Sequence, residues 1–192
     1  MKIKMRIISG KYRSTKLFIS NNKKTRPLKD MVKESIFNTL IHSNKFLFDF
    51  KKKNILDLFS GTGSFGLECL SRNARKVTFV ENDTNALKVL FKNLKKINVY
   101  DSKKTEIISS SVLKFINNFQ YKNDKFDLIF LDPPFNQKNV IETIIELKNK
   151  KILNNNGIFI LHRHKKSNDL ISENLKIKEE KIYGLSKIIF II

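Results

Sequence analysis

The stretch "NILDLFSGTGSFG", Asn54 to Gly66, runs an apolar strand pattern into a turn where Gly61, Gly63 and Gly66 spell G-x-G-x-x-G. A short apolar run that ends in glycines and opens a second apolar segment reads as a buried parallel strand feeding a helix. The same alternation continues outward. Helices are expected over Ser64 to Arg72, Thr84 to Lys96, Val112 to Asn118 and Gln137 to Lys148, separated by the strand-like runs "KVTFV", "TEII", "FDLIFL" and "GIFIL". Such an order predicts an α/β fold with a parallel sheet covered by helices on both faces. The pattern breaks at the end, where "LKIKEEKIYG" and "SKIIFII" meet near Tyr183 and Gly184 and predict a terminal antiparallel hairpin on that sheet. At the start, "RIIS" and "KLFI" flank Gly10 and Lys11 as a short hairpin or irregular arm. The segment "RPLKDMVKESIFNTLIH" then places Leu28, Val32, Ile36 and Leu40 on one helix face with Ile41 beside them, and Pro27 suits the first turn. Two units are expected: a basic arm over 1–26 and an α/β domain over 27–192.

With 192 residues, 41% of them hydrophobic, the chain is long enough for one sizeable core. No apolar run approaches the roughly 20 residues that span a bilayer, and the opening "MKIKMRIISGKYRS" is too short in apolar residues for a signal peptide. A cytoplasmic protein with no membrane partner is expected. The single cysteine, Cys69, excludes an internal disulfide and multi-cysteine zinc patterns, and its helical position predicts a small buried apolar residue. No metal is expected. The 38 Lys and Arg outnumber the 18 Asp and Glu, for a formal net charge of +20. A coding bias toward Lys, Asn and Ile would also give a basic chain. Yet the first 29 residues carry ten Lys or Arg and no acid before Asp30, and a clustered stretch is what an electrostatic footprint on nucleic acid needs. Arg6, Lys11, Arg13, Lys16 and Arg26 are the candidate nucleic-acid contacts.

Glu81 ends the strand after the glycine loop, 18 residues beyond Gly63, where its carboxylate could accept from ribose hydroxyls. That spacing also fits a dinucleotide site, with glycines that let a ligand lie against the backbone. Asp57 separates the two. A pyrophosphate near a carboxylate at the strand end would be repelled, whereas the sulfonium and ammonium of S-adenosylmethionine would be attracted. Phe59, Ser60 and Asn82 flank the loop and the acid, and Ser111 with the Val112 amide lies where an adenine edge would fall. These residues with Asp57, Gly61, Gly63 and Glu81 form the candidate cofactor set.

The run "KFDLIFLDPPFNQ", Lys125 to Gln137, carries the second motif. Its strand should lie beside the first strand of the sheet, so Asp132 would open onto the same crevice as the glycine loop. Pro133 and Pro134 stiffen the turn and remove two amide donors, leaving carbonyl acceptors, above all that of Pro133. Asp132 and the Pro133 carbonyl could then grip the two N–H groups of an exocyclic amine, and Phe135 could stack on its base. An aromatic amine is a poor nucleophile, so orientation and an acceptor for the developing positive charge are the help it needs. His162 and His164 in "LHRHKK" lack a metal-ligand set and are read as a solvated or nucleic-acid-facing basic edge.

On "MRIISGKYRSTKL", "TRPLKDMVKESIFNTL", "LDLFSGTGSFGLECLSRNA", "FVEND", "LDPPF" and "EEKIYG", in that order, the chain resembles the bacterial RsmD family of 16S ribosomal RNA (guanine-N2)-methyltransferases. The resemblance covers nearly the whole chain. It implies a class I, Rossmann-like S-adenosylmethionine-dependent methyltransferase fold with a seven-stranded sheet and a small RNA-contacting N-terminal extension. It further implies transfer to the N2 amine of one guanine in 16S rRNA, within the small ribosomal subunit or an assembly intermediate, by a monomer. The family pattern often has Glu where this chain has His162, and many such enzymes carry an acid or amide at the Ser111 position. An adenine-N6 methyltransferase would share "DPPF" but usually adds a large target-recognition domain, for which no segment here is long enough. A non-catalytic RNA-binding protein would explain the charge but not Asp132, Pro133 and Pro134 beside a cofactor loop.

Overall fold

The computed structural model describes residues 5–20, 28–120, 125–169 and 171–192. In chain order the elements are β1 (Met5–Arg6), β2 (Lys16–Leu17), α1 (Asp30–His42), β3 (Asn54–Leu58), α2 (Ser64–Ser71), β4 (Lys76–Glu81), α3 (Thr84–Lys96), β5 (Thr105–Ser109), α4 (Val112–Asn118), β6 (Phe126–Leu131), α5 (Val140–Asn149), β7 (Leu153–His164), β8 (Ile177–Tyr183) and β9 (Ser186–Ile191). Seven strands form one sheet in the order β5-β4-β3-β6-β7-β9-β8. Those from β5 to β7 run parallel, and β9 enters antiparallel between β7 and β8. The expected terminal hairpin is therefore present, with its second strand placed inside the sheet.

Successive strand side chains point to opposite faces, and the core divides accordingly. Ile55, Val77, Phe79, Leu128, Phe130, Ile160 and Phe190 pack on the face covered by α1, α2 and α3. Leu56, Val80, Ile129, Leu131, Leu161 and Ile189 pack on the face covered by α4 and α5. A stacked pair, Phe65 and Phe130 at 4.0 Å between ring centroids, ties α2 to β6. Cys69 is fully buried, as its helical position predicts.

The boundaries differ from the expected ones for local reasons. Helix α5 begins at Val140 instead of Gln137, because the Gln137 N–H donates to the Pro134 carbonyl and Asn139 turns the chain through a left-handed φ of 61°. Strand β7 begins at Leu153 instead of Gly157, since Leu153 already pairs with Phe126, and a register shift before Ile158 carries the residues between them, polar and without an apolar signal, as a bulge within the strand. The expected role of Pro27 falls outside the described residues. The arm is held by the domain: Met5, Ile7 and Leu17 are buried in the core shared with α1, α2 and α3.

Candidate active site

Strand order reverses between β3 and β6, whose registers place Leu58 opposite Leu131. Their carboxyl ends therefore open a common crevice, the usual place for a ligand in such sheets. The glycine loop leaves one side and the Asp132 turn the other, and the Asp132 N–H points back to the Leu58 carbonyl at 3.4 Å.

Glu81 anchors the loop. Its Oε2 accepts from Gly61 N–H at 2.7 Å, and Oε1 accepts from Asn82 and Asp83 N–H at 2.8 Å each. Three backbone bonds leave this carboxylate less spare acceptor capacity for ribose than a bare acid has. Gly63 caps α2 at φ +86°, and a Cβ there would lie 2.5 Å from a Leu90 methyl; one on Gly66 would lie 2.3 Å from the Phe79 ring. Both glycines thus have a packing reason, the close seating of α2 against α3 and β4. Asp57 accepts from Gly66 N–H at 2.9 Å. Burial pushes its carboxyl well above the usual range, opposed by the Gly66 bond and reinforced by the like charges of Asp132 and Glu81.

Three acids around one crevice make it receptive to a cation. Phe59 holds a left-handed φ of 56°, strain of the kind that gathers at ligand sites, and the buried Ser60 hydroxyl lacks a partner among the described residues. An orphan hydroxyl beside clustered acids suits a ligand with positive and hydroxyl groups, so these residues fit S-adenosylmethionine. Ser111 caps α4, its hydroxyl oxygen accepting from Lys114 N–H at 3.3 Å, and Val112 opens the helix where its N–H has no intrahelical carbonyl.

On the opposite lip the Pro134 carbonyl is already used, accepting from Gln137 N–H at 2.8 Å and from Arg163 Nη1 at 3.3 Å. Arg163 is nearly fully buried, with its other donors on Asp169 and the Gln137 carbonyl, so it clamps the turn from beneath. Of the two proline carbonyls, that of Pro133 remains for a ligand among the described residues. His162 corrects the sequence-based reading of a solvated edge. It is buried, with Nδ1 2.7 Å from Asp132 Oδ1 and Nε2 2.9 Å from Ser186 Oγ. The reason is β9, which pairs antiparallel along the edge of β7 and supplies the serine. Phe135 is half-buried and meets the His162 and His164 rings edge-on, at 5.9 and 5.3 Å between centroids. Beyond it lies a cleft of about 810 Å³ that includes Phe135, Arg163 and His164 but not Asp132 or the glycine loop.

The family model described as conserved hypothetical protein 95, the RsmD family, matches residues 5–192. The chain belongs to the RsmD family. A Haemophilus influenzae relative named ribosomal RNA small subunit methyltransferase D is 36% identical, with 94% of this chain and 90% of the relative covered. A Buchnera aphidicola protein of the same name is 32% identical, with 93% and 88% covered. Among solved structures, a Haemophilus influenzae candidate methylase superposes with a TM-score of 0.77 at 33% identity, covering 98% of this chain and 97% of that one. An Escherichia coli candidate methyltransferase gives 0.79 at 27% identity, with the same coverage.

The arm of this RsmD family member carries Arg6, Lys11, Arg13 and Lys16, all exposed; Arg26 lies outside the described residues. Arg6 also pairs with Asp30 at 3.3 Å. What fastens the arm had no signal in the sequence reading. Glu68 of α2, fully buried, accepts from Ile8 N–H at 2.7 Å, Ser9 N–H at 3.0 Å and Arg72 Nε at 3.0 Å. Asn93 of α3 pairs with both backbone groups of Phe18 and donates to the Thr62 carbonyl in the glycine loop at 3.0 Å. One side chain thus joins arm and loop. Lys33 of α1 is buried and donates to the Arg6 carbonyl at 2.6 Å, and burial lowers its pKa. Only a helix wheel that allowed a charged residue on the apolar face would have found it.

Proposed function

We propose that the chain transfers a methyl group from S-adenosylmethionine to the exocyclic N2 amine of a guanine in 16S rRNA. Membership of the RsmD family and relatives named as small-subunit rRNA methyltransferases support the substrate class. The observation that carries the chemistry is Asp132, at the end of β6 beside the acid-lined glycine loop. Asp57 and Glu81, with Phe59, Ser60, Gly61, Gly63, Asn82, Ser111 and Val112 around them, are assigned to the cofactor. When bound, S-adenosylmethionine supplies an electrophilic methyl group whose sulfonium leaves readily.

The chain's own residues orient and deprotonate the amine. Asp132 and the Pro133 carbonyl accept its two N–H groups, turning the nitrogen lone pair toward the crevice, while Pro134 and Arg163 keep the turn stiff. As the nitrogen becomes positive, its surplus proton passes to Asp132 Oδ2, which leaves a neutral carboxylic acid. Phe135 packs against the base. The target guanine is unpaired or flipped, because its N2 amine lies on the pairing edge and extraction from a stack costs about a few kcal/mol. Arg6, Lys11, Arg13, Lys16 and Arg26, in an arm over 1–26 attached to a catalytic domain over 27–192, position a folded RNA or ribonucleoprotein. The setting is a monomer in the cytoplasm acting on the small subunit or an assembly intermediate, without a metal.

The test is methylation of under-modified small subunits, free rRNA and duplex DNA in parallel, read by nucleoside mass spectrometry. N2-methylguanine, formed best on assembled or partly assembled subunits, is the expected product. N6-methyladenine as the sole product, or equal activity on duplex DNA, would move the chain to the adenine-methyltransferase class.

A further inference from the structure

We infer that His162 is a positioning residue for methyl transfer, holding Oδ1 of Asp132 so that Oδ2 faces the incoming amine, with Ser186 steadying the imidazole from its Nε2 side. The inference rests on the role given to Asp132 above. A carboxylate has no proton to give, so the 2.7 Å contact requires Nδ1 of His162 to carry one. In a neutral ring Nε2 is then a bare acceptor, and the partner it meets at 2.9 Å is the Ser186 hydroxyl, which can donate. A hydroxyl also accepts, so the serine alone would permit either tautomer; the carboxylate decides.

Each group comes from a different strand. Asp132 follows β6, His162 lies on β7, and Ser186 opens β9, the strand inserted antiparallel beside β7. Burial is consistent with the assignment: the His162 side chain is 9% exposed, whereas that of Asp132, whose Oδ1 is bound, keeps 22% exposure. The Phe135 ring closes the remaining side at 5.9 Å. During transfer the amine proton goes to Oδ2, the Nδ1 proton stays in place, and the neutral acid later returns its proton to water. His162 therefore acts through Asp132 and touches no reacting atom.

Four variants and one spectrum test this. In single-turnover assays at saturating RNA and S-adenosylmethionine, His162→Phe should lower the methyl-transfer rate about tenfold or more, with cofactor affinity within about twofold of the parent. His162→Asn, whose amide can still donate to Asp132, should recover most of that loss, and Ser186→Ala should fall between. Nitrogen-15 NMR of the cofactor-free protein at about pH 8, where an ordinary imidazole is neutral, should show the proton on Nδ1 of His162. The resonance is assigned by its absence from His162→Asn. Should His162→Phe fail to fold, the spectrum and His162→Asn decide.

A proton on Nε2 with none on Nδ1, or a parental rate in His162→Phe while Asp132→Asn is slow, overturns the inference and leaves the Asp132 mechanism standing. A parental rate in Asp132→Asn overturns both.

Discussion

Asp57 has a proposed binding role that would come at a cost to the empty fold. Its carboxyl is buried against Gly66 N–H and lies near Asp132 and Glu81, and its pKa is raised in the folded state. The unfolded chain therefore releases this proton first. From about pH 4, the ordinary Asp value, stability on this group's account falls as pH rises, until the folded pKa is passed. Asp57→Asn should remove that fall while keeping an oxygen for Gly66. Thermal melting of the cofactor-free variant should show a midpoint above the parent's at neutral pH, with the gap closing toward pH 4. Calorimetry should show the opposite sign for S-adenosylmethionine, a loss of about 1.5 to 3 kcal/mol from removing a charged partner. Unchanged affinity would show that Asp57 shapes the loop without meeting the ligand's charge.

At the scale of elements, α2 connects the arm to the crevice. Its first turn lies behind the glycine loop, while Glu68 and Ser71 further along hold Ile8, Ser9 and the residues after Gly10. Gly10 itself has φ +82°, and a Cβ there would lie 2.0 Å from the Ser71 carbonyl oxygen, so the chain can cross the helix only at glycine. Glu68→Ala strands two backbone donors and the Arg72 guanidinium, whose side chain is 14% exposed. Breaking such a buried set should cost about 3 to 5 kcal/mol in denaturant unfolding. Hydrogen exchange should then speed up at Ile8 and Ser9 more than in β3 or β6. Equal acceleration everywhere would show that the arm and the sheet open as one unit.

For the whole molecule, the net charge of +20 sets long-range attraction to polyanions, and the fastened arm gives that attraction a location. Lys11, Arg13 and Lys16 are exposed, whereas Arg6 is partly committed to Asp30. Replacing any one residue that contacts a phosphate should reduce the salt slope of RNA binding by about 0.7 to 0.9 units. Charge reversal at Lys11, Arg13 and Lys16 together should weaken subunit binding and flatten its salt dependence, with S-adenosylmethionine affinity unchanged. Filter binding across a salt series measures the first and calorimetry the second. An unaltered slope would make the arm's charge incidental to RNA contact.

Strand and helix alternation, the two-faced core, the glycine turn and the Asp132 turn were legible in the residues alone. Each depends on neighbours close along the chain: side-chain period, glycine at positive φ, and proline that withholds a donor. The family blocks are likewise local strings. Tertiary structure alone decided which distant polar groups meet. Asp132 and His162 are 30 residues apart, Glu68 and Ile8 are 60 apart, and Asn93 reaches 75 residues back to Phe18. None of these pairings leaves a periodic trace, because a buried polar side chain is satisfied by whatever backbone or side chain the packing brings within about 3 Å, regardless of sequence separation. His162 reads as one more basic residue in "LHRHKK" until β9 folds back antiparallel beside β7 and closes water out. Local chemistry was enough to place the acids at strand ends; that Asp132 meets His162 of β7, and His162 in turn Ser186 of β9, was decided by strands that pair far along the chain.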